Sequence, residues 1–237
     1  MKNMQKIGQL ALLFLVLTGM LSCNKDNNTE DFKVIGDVMI VKRMIDDQTY
    51  FERSYYAYGN YPMKDASVSL PEGGNISLQA TDETLRTYLK EPAIADFLSA
   101  PPITGNFDFS VTNEDIEHTV SDELVFNNLA FATITSADYD GGAVTVEWTP
   151  ADNAENYLVK IVDVNYVPIF TGFLLSNTVS KYQTSSSAGV WDKTPETGTT
   201  YIVEVHAFEY DDEATIQNFV YNINEISIAT KSIVWGE

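Results

Sequence analysis

The sequence predicts an all-β protein with two β-sandwich domains in tandem. Apolar and polar residues alternate with period two over several short runs, which is typical of strands that bury one face. The runs are separated by Gly, Pro, Asn and Asp, residues that favour turns. Of the 237 residues, the 215 after the first 22 are enough for one large or two small cores, and an aromatic content of 12% is too high for a disordered chain.

Paired strands are clearest in the second half of the chain. Apolar residues alternate with polar ones over residues 144–149. After a loop, Tyr157, Val159 and Ile161 form one face of a second run, 157–162. Two adjacent runs of this kind predict antiparallel strands that pack on a core. A third run, 201–207, follows a Pro-Glu-Thr-Gly turn and places Tyr201 on its apolar face.

The stretches VTVEWTPADNAENYLVKI and TGTTYIVEVHAF resemble a fibronectin type III domain. In that family a tryptophan on the second strand packs against a tyrosine on the third, and another tyrosine forms a corner near the sixth strand. The resemblance places Trp148, Tyr157 and Tyr201 in these structural roles, with the Tyr201 hydroxyl bonded to nearby backbone. The resemblance covers residues 131–237 and implies an immunoglobulin/fibronectin type III-like sandwich. The sequence departs from the family pattern over 211–224, where we expect an enlarged loop or a short helix.

The first half, residues 33–130, has the spacing of a second sandwich. Its strand candidates are VMIVKRM, TYFERSYYAYGN, ASVSL, ISLQAT and NFDFSVTN. Between Thr81 and Ala100 the pattern fits either a helix capped by Asp82 or a strand and loop, and we favour the strand and loop. The domain boundary is expected near NNLAFATI, where no Gly/Ser linker occurs, so the predicted domains meet stiffly.

The first 22 residues have the pattern of an export signal. Two lysines, Lys2 and Lys6, precede an apolar run over residues 10–17. The run is shorter than the roughly 20 apolar residues that cross a bilayer, so cleavage rather than anchoring by a helix is expected.

Cys23, the one cysteine of the chain, follows Met20, Leu21 and Ser22 directly. This order resembles a bacterial lipobox, which implies a diacylglycerol thioether on Cys23, cleavage before it and acylation of the new amino group. Leu21 departs from the family, where that position is small or polar. Several acyl chains anchor firmly because each buried methylene contributes about 0.8 kcal/mol. An ordinary secretory signal with an incidental cysteine is the alternative.

Residues 23–32 are predicted to be a lipid-anchored polar tether. The string NKDNNTED is too polar to fold alone, and it reaches about 30 Å at most when extended. It also resembles the surface-export signal of Bacteroidetes-type lipoproteins. That resemblance implies a protein anchored in the outer membrane and exposed on the cell surface.

Charge and cysteine content restrict the partners. Without its first 22 residues the chain has 12 basic and 34 acidic side chains, a formal charge of −22. Such a surface repels phosphate backbones, so nucleic acid is not an expected partner. With Cys23 acylated no disulfide is available, and we expect no metal or cofactor.

The remaining polar residues do not predict an enzyme. His206 shares a predicted outward strand face with Glu204, which is a weak metal pair, and we favour a solvated histidine; His118 is placed at a hairpin end. Acid clusters at 113–117, 138–142 and 211–213 offer oxygen ligands for calcium, but solvated turn acids are favoured. No hydrolase or phosphate-binding motif is present, and a glycosidase with paired carboxylates is the remaining catalytic alternative.

Surplus aromatic residues are the candidate ligand-binding groups. In YFERSYYAYGNY, one strand face carries Tyr50, Tyr56 and Tyr58 and the other carries Phe51 and Tyr55. Because a sandwich sheet buries one face, we expect some of these rings to be exposed for sugar stacking or protein recognition, or to cover the domain contact. The candidates are Tyr55, Tyr56, Tyr58, Tyr61 and Trp191. For Trp191 the alternative is that its ring closes the end of its own sandwich.

Anchor, sandwiches and aromatic residues together predict a non-catalytic, lipid-anchored binding protein. By resemblance to accessory lipoproteins of Bacteroidetes-type glycan-uptake systems, carbohydrate is the leading ligand. The alternative is an adhesion or pilus-type structural subunit that binds protein, which would need an exchangeable edge strand.

Overall fold

The computed structural model describes residues 31–45, 48–185, 188–211 and 222–236. In these residues there are seventeen strands, one 3-10 helix over Ile94–Asp96 and no α-helix, so the predicted all-β class is confirmed. Across the same ranges no helix is long and apolar enough to span a membrane. The predicted signal peptide, Cys23, the tether up to residue 30 and most of the departure over 211–224 lie outside the described residues.

The strands are numbered in chain order. They are β1 (Val34–Ile45), β2 (Gln48–Gly59), β3 (Asp65–Ser69), β4 (Asn75–Ser77), β5 (Gln79–Ala80), β6 (Thr87–Lys90), β7 (Gly105–Asn113), β8 (Ile116–Leu124), β9 (Thr133–Asp140), β10 (Ala143–Thr149), β11 (Asn156–Val162), β12 (Pro168–Gly172), β13 (Leu175–Ser176), β14 (Lys181–Gln183), β15 (Gly189–Trp191), β16 (Thr200–Tyr210) and β17 (Ile223–Val234).

A sandwich forms in the second half of the chain. One sheet has the order β14-β10-β9, and it faces the part of a larger sheet with the order β15-β12-β11-β16-β17. Alternating residues of β10, β11 and β16 fill the core between them, as the sequence predicts. The Trp148 and Tyr157 rings lie 5.5 Å apart, and the Tyr201 hydroxyl accepts a hydrogen bond of 3.0 Å from the Glu196 N–H. The predicted bond of Tyr201 to nearby backbone is therefore present.

A second small sheet, with the order β4-β3-β7-β8, packs against β1 and β2. Its buried aromatic residues meet the larger sheet closely, since the Phe107 ring lies 6.1 Å from the Tyr55 ring. The Phe109 ring packs directly on the backbone of Gly36 in β1, where a Cβ would lie 2.4 Å from the ring. This close approach of backbone to an aromatic ring requires glycine.

The larger sheet, here called the large sheet, contains strands from both halves of the chain. Its order is β15-β12-β11-β16-β17-β1-β2-β6-β5, and β1 pairs with β17 in parallel from Ile40 opposite Glu225 to Arg43 opposite Ile228. Each half also has its own small sheet, and both small sheets pack on the same side of the large one. The division into domains 33–130 and 131–237 stays a prediction.

The segment between the two halves is held by one carboxylate. Glu225, on β17, is fully buried and accepts three backbone hydrogen bonds of 2.6–2.7 Å, from Asn127, Asn128 and Leu129. Lys42 of β1 lies 3.6 Å from the same carboxylate. Buried charge is tolerated here because the carboxylate has both a cation and several N–H donors.

The ambiguous region between Thr81 and Ala100 is strand and loop, as favoured from the sequence. Asp82 caps a turn rather than a helix, since its carboxylate accepts the Thr84 N–H at 2.8 Å. The chain then forms β6, and the 3-10 helix follows Pro92. After it, Leu98 forms an isolated bridge to Phe51 of β2, which fixes this segment against the large sheet.

Candidate functional site

The face of the large sheet opposite the small sheets contains a groove of about 530 Å³. Its floor is formed by strands β11, β16, β17 and β1. Its walls are the segment 91–97, after β6, and the loop 163–167, between β11 and β12. The floor residues are Leu158, Lys160, Glu204, His206, Phe208, Ile226, Ile228, Met39, Val41 and Arg43. The lining is mostly apolar, with Arg43, Lys160 and Glu204 as charged groups on the floor and Glu91 on a wall.

The 163–167 wall has a locally strained turn. The Asp163 carboxylate accepts the backbone N–H groups of Asn165 and Val167 at 2.8 and 2.9 Å. This turn places Tyr166 at a φ of 63°, a left-handed conformation that a residue with a large side chain seldom adopts. Its ring covers the Arg43 guanidinium at 4.7 Å. Strain of this kind occurs preferentially at functional sites.

The 91–97 wall is ordered by an acidic side chain and an aromatic ring. Asp96 accepts the Ala93 N–H at 2.9 Å, which closes the 3-10 turn after Pro92. Phe97 then reaches the floor, packs with Met39, Val41 and Ile228, and contacts the Arg43 guanidinium at 5.5 Å. Arg43 therefore contacts an aromatic ring from each wall.

Arg43, Glu204 and His206 form a buried network on the groove floor. Arg43 Nη2 donates to Glu204 Oε1 at 3.0 Å, and the other carboxylate oxygen lies 2.8 Å from His206 Nε2. Two nitrogens of Arg43, Nε and Nη1, are buried and have no acceptor among the described residues. Buried donors without acceptors are unfavourable, so this network has capacity for a further acceptor.

The protonation states follow from burial and from these contacts. Burial lowers the pKa of His206, so the imidazole is neutral at pH 7 and its N–H donates to Glu204. Burial acts to raise the pKa of Glu204, but the hydrogen bond with His206 and the nearby positive charge of Arg43 outweigh it, and the pKa lies below its ordinary value. The floor thus carries an ionised Glu204 beside Arg43.

The prediction of a solvated His206 is wrong. The residue is 7% exposed, and Glu204 beside it is buried as well. Their strand face points away from the core of the second half, as the alternation predicts. However, the walls of the groove cover this face, so β16 is buried on both sides.

The tyrosines of β2 lie on the faces that the sequence predicts. Tyr55 pairs with Val38 and packs on Phe107; at 2% exposure its ring offers no face to a ligand. Tyr56 is half-buried on the same side as the groove. Tyr58 and Tyr61, at 38% and 37% exposure, are the accessible members of the set.

Trp191 lies against the core of the second half. Its ring is 4.6 Å from Phe170 and 5.6 Å from Trp235, and the residue is half-buried. These contacts favour the alternative in which the ring closes the end of its own sandwich.

The other predicted polar groups do not converge. His118 lies on β8 opposite Val111, near the end of the β7–β8 hairpin, and Asp138 and Asp140 are exposed. Within the described part of the chain, no group of three or more His, Cys, Asp or Glu side chains is arranged to hold a metal ion.

Sequence reasoning missed Arg43 and Glu204 as a pair. The available signal was the Lys-Arg dipeptide inside the apolar run of β1, in a chain with only 14 basic residues. The partner of Arg43 lies 161 residues away, so alternation alone does not identify it.

Comparison with known proteins gives fold-level likenesses only. No protein-family model and no curated protein matches the chain. Similar solved structures include a segment of two fibronectin type III domains from chicken tenascin (13% identity, TM-score 0.29, 86% of this chain and 97% of that one). Another is the BSP domain of a biofilm associated protein (14% identity, TM-score 0.25, 86% of this chain and 30% of that one). A third contains the FN1–FN3 domains of chicken CNTN1 (11% identity, TM-score 0.30, 85% of this chain and 64% of that one).

Proposed function

We propose that this chain is a non-catalytic, lipid-anchored binding protein of the cell envelope and that the groove on the large sheet is its binding site. The supporting observation is the groove itself, whose volume of about 530 Å³ lies within the roughly 300–1,000 Å³ typical of ligand pockets. A mostly apolar lining with a few polar groups at one point is also typical of such sites.

The cellular location is proposed from the sequence. The lipobox-like residues before Cys23 and the polar tether support attachment through lipid to the outer membrane, facing the cell exterior. A tether of about 30 Å leaves the folded part free to meet ligands near the surface.

The experiment uses residues 24–237 and the neutral apolar dye N-phenyl-1-naphthylamine, whose fluorescence rises in an apolar site. We expect saturable binding to the wild type. Leu158→Trp places an indole in the groove and should abolish it. Ile116→Trp, at the exposed β7–β8 hairpin, is the matched control and should leave binding unchanged. No saturable signal, or equal signals in the two variants, would refute the groove as a binding site.

Carbohydrate is the second candidate ligand, favoured by the exposed pair Tyr58 and Tyr61 near the end of β2. Exposed tyrosine rings suit stacking against sugars. In a glycan screen of the same protein, the double variant Tyr58→Ala/Tyr61→Ala should lose binding that Leu158→Trp retains. Self-assembly of the purified protein without glycan binding would instead support the adhesion or pilus-type alternative.

A further inference from the structure

We infer that the groove binds an amphiphilic anion, a small organic acid whose apolar body lies on the aliphatic floor and whose anionic head contacts Arg43. This inference rests on the proposed function and names the ligand class of the same site.

Arg43 is buried on the groove floor, and some of its N–H donors have no acceptor among the described residues. Its side chain is 7% exposed, and among the described residues Nη2 is the one nitrogen with a hydrogen-bond partner, Glu204 Oε1 at 3.0 Å. The N–H groups of Nε and Nη1 meet no acceptor among the described residues. A guanidinium has five N–H donors and no acceptor, so a ligand with acceptor atoms can satisfy the two free nitrogens. Charge-assisted bonds to an anion are about twice as strong as neutral ones.

The local charge balance differs from that of the whole chain. On the floor, two cations, Arg43 and Lys160, lie beside one carboxylate, Glu204, and the buried His206 is neutral at pH 7. Glu91 on the wall is the other acid of the lining. With two cations and two carboxylates, the described lining carries no net charge in a chain with a formal charge of −20, and both cations lie on the floor.

The aliphatic part of the floor favours a ligand with an apolar body. Next to the charged network lie Met39, Val41, Leu158, Ile226 and Ile228, which are aliphatic and offer no hydrogen bonds from their side chains. A sugar needs several polar partners, whereas an alkyl or aryl body is satisfied by burial. The combination of one anionic contact and an aliphatic floor therefore fits an amphiphilic acid better than a neutral glycan.

Two dyes with the same body test the head group. 8-Anilino-1-naphthalenesulfonate is N-phenyl-1-naphthylamine with an added sulfonate, so the pair compares an anionic head with none on the same aromatic body. We expect the wild type to bind the sulfonate about tenfold or more tightly than the neutral dye, the usual effect of a charge-assisted bond. Both dyes should be lost in Leu158→Trp.

The variant Arg43→Met/Glu204→Gln removes both charges, so that no unpaired buried charge is left. In this variant the ratio of the two dissociation constants, neutral dye over sulfonate, should fall about tenfold. Arg43→Lys should retain part of the preference for the sulfonate. Circular dichroism and thermal melting show that each variant is folded. Equal losses for the two dyes, or an unchanged preference for the sulfonate, would overturn the inference while leaving the groove as a binding site.

A measurement on the wild type covers the case in which the variants do not fold. Decanoate and decanol share an alkyl chain and differ in the head group, so they are compared as competitors of the neutral dye. Decanoate should displace it at about a tenfold lower concentration than decanol. Equal displacement would overturn the anionic contact, and a wild type that binds neither dye would instead overturn the proposed function.

Discussion

Asp37 is a buried carboxyl group with a second acid close by. It lies on β1, where Oδ2 accepts the Ile223 N–H at 3.1 Å, while Oδ1 has no partner among the described residues. Asp122, which accepts the Val38 N–H, is the nearby acid. Burial raises the pKa of Asp37 well above its ordinary value, repulsion from Asp122 and Asp211 adds to this, and the bond from Ile223 opposes it.

This raised pKa gives a pH-dependent stability. The folded state binds the proton of Asp37 more tightly than the unfolded state, so the stabilising contribution is full below the unfolded pKa of 3.8 and is lost as pH rises through the raised folded pKa. Asp37→Asn keeps an acceptor for Ile223 and cannot ionise. We expect it to melt at least about 2 °C above the wild type at pH 8, with the difference vanishing toward pH 4.

Asp140→Asn, at an exposed site on β9, is the matched control for this prediction. It should change the melting temperature little, and by a similar amount at both pH values. A melting temperature of Asp37→Asn below that of the wild type at pH 8 would contradict the assigned cause.

At the residue scale, the sequence predicted groups whose partners are near in the chain or belong to a repeated pattern. Trp148 and Tyr157 are close in sequence, and the Tyr201 hydroxyl bonds only five residues back. Arg43 and Glu204 were not predicted as a pair, because their contact depends on strand order between distant parts of the chain. A buried charge can be interpreted only when its partner is known.

At the element scale, the segment before β9 depends on Glu225 of β17. The carboxylate accepts three N–H groups from residues 127–129 and lies near the Lys42 ammonium. Glu225→Gln removes the charge and replaces one acceptor oxygen by an NH2 group, which donates and cannot accept the backbone N–H groups. Breaking a buried ion pair destabilises by about 3–5 kcal/mol, and we expect a loss of that size in urea unfolding.

Glu147→Gln is the control, because Glu147 forms an exposed ion pair with Lys181 and exposed pairs contribute about 0–1 kcal/mol. The difference between the two variants isolates the buried environment of Glu225. Similar unfolding midpoints for both would show that the 127–129 contacts contribute little to stability.

Alternation predicted the existence of most elements but not their full burial. The runs that became β10, β11 and β16 show the expected core face. The face of β16 with Glu204 and His206 was expected to be solvated, yet it is buried because the walls 91–97 and 163–167 cover it. A wall formed by irregular segments leaves no periodic signal in the sequence.

At the scale of the whole molecule, the parallel pair β1–β17 joins the first and last described strands in one sheet. Neither strand carries a local signal for the other, since parallel pairing depends on how both halves of the chain have folded. This pairing positions the groove, because β1 supplies Arg43 while β16, next to β17, supplies Glu204. Both halves of the chain are therefore needed to complete the candidate site.

The proposed lipid anchor makes a prediction about the whole molecule in the cell. Expressed in a bacterium with lipoprotein-processing enzymes, the full chain should partition into detergent, and mass spectrometry should find acyl groups on Cys23 as the new first residue. Cys23→Ala should remain in the aqueous phase, because the acceptor sulfur is missing. Ser22→Ala, which keeps a small residue before the cysteine, is the matched control and should partition as the wild type does. An unmodified thiol at Cys23 in the mature protein would refute the anchor while leaving the groove and its ligand class to be tested on their own.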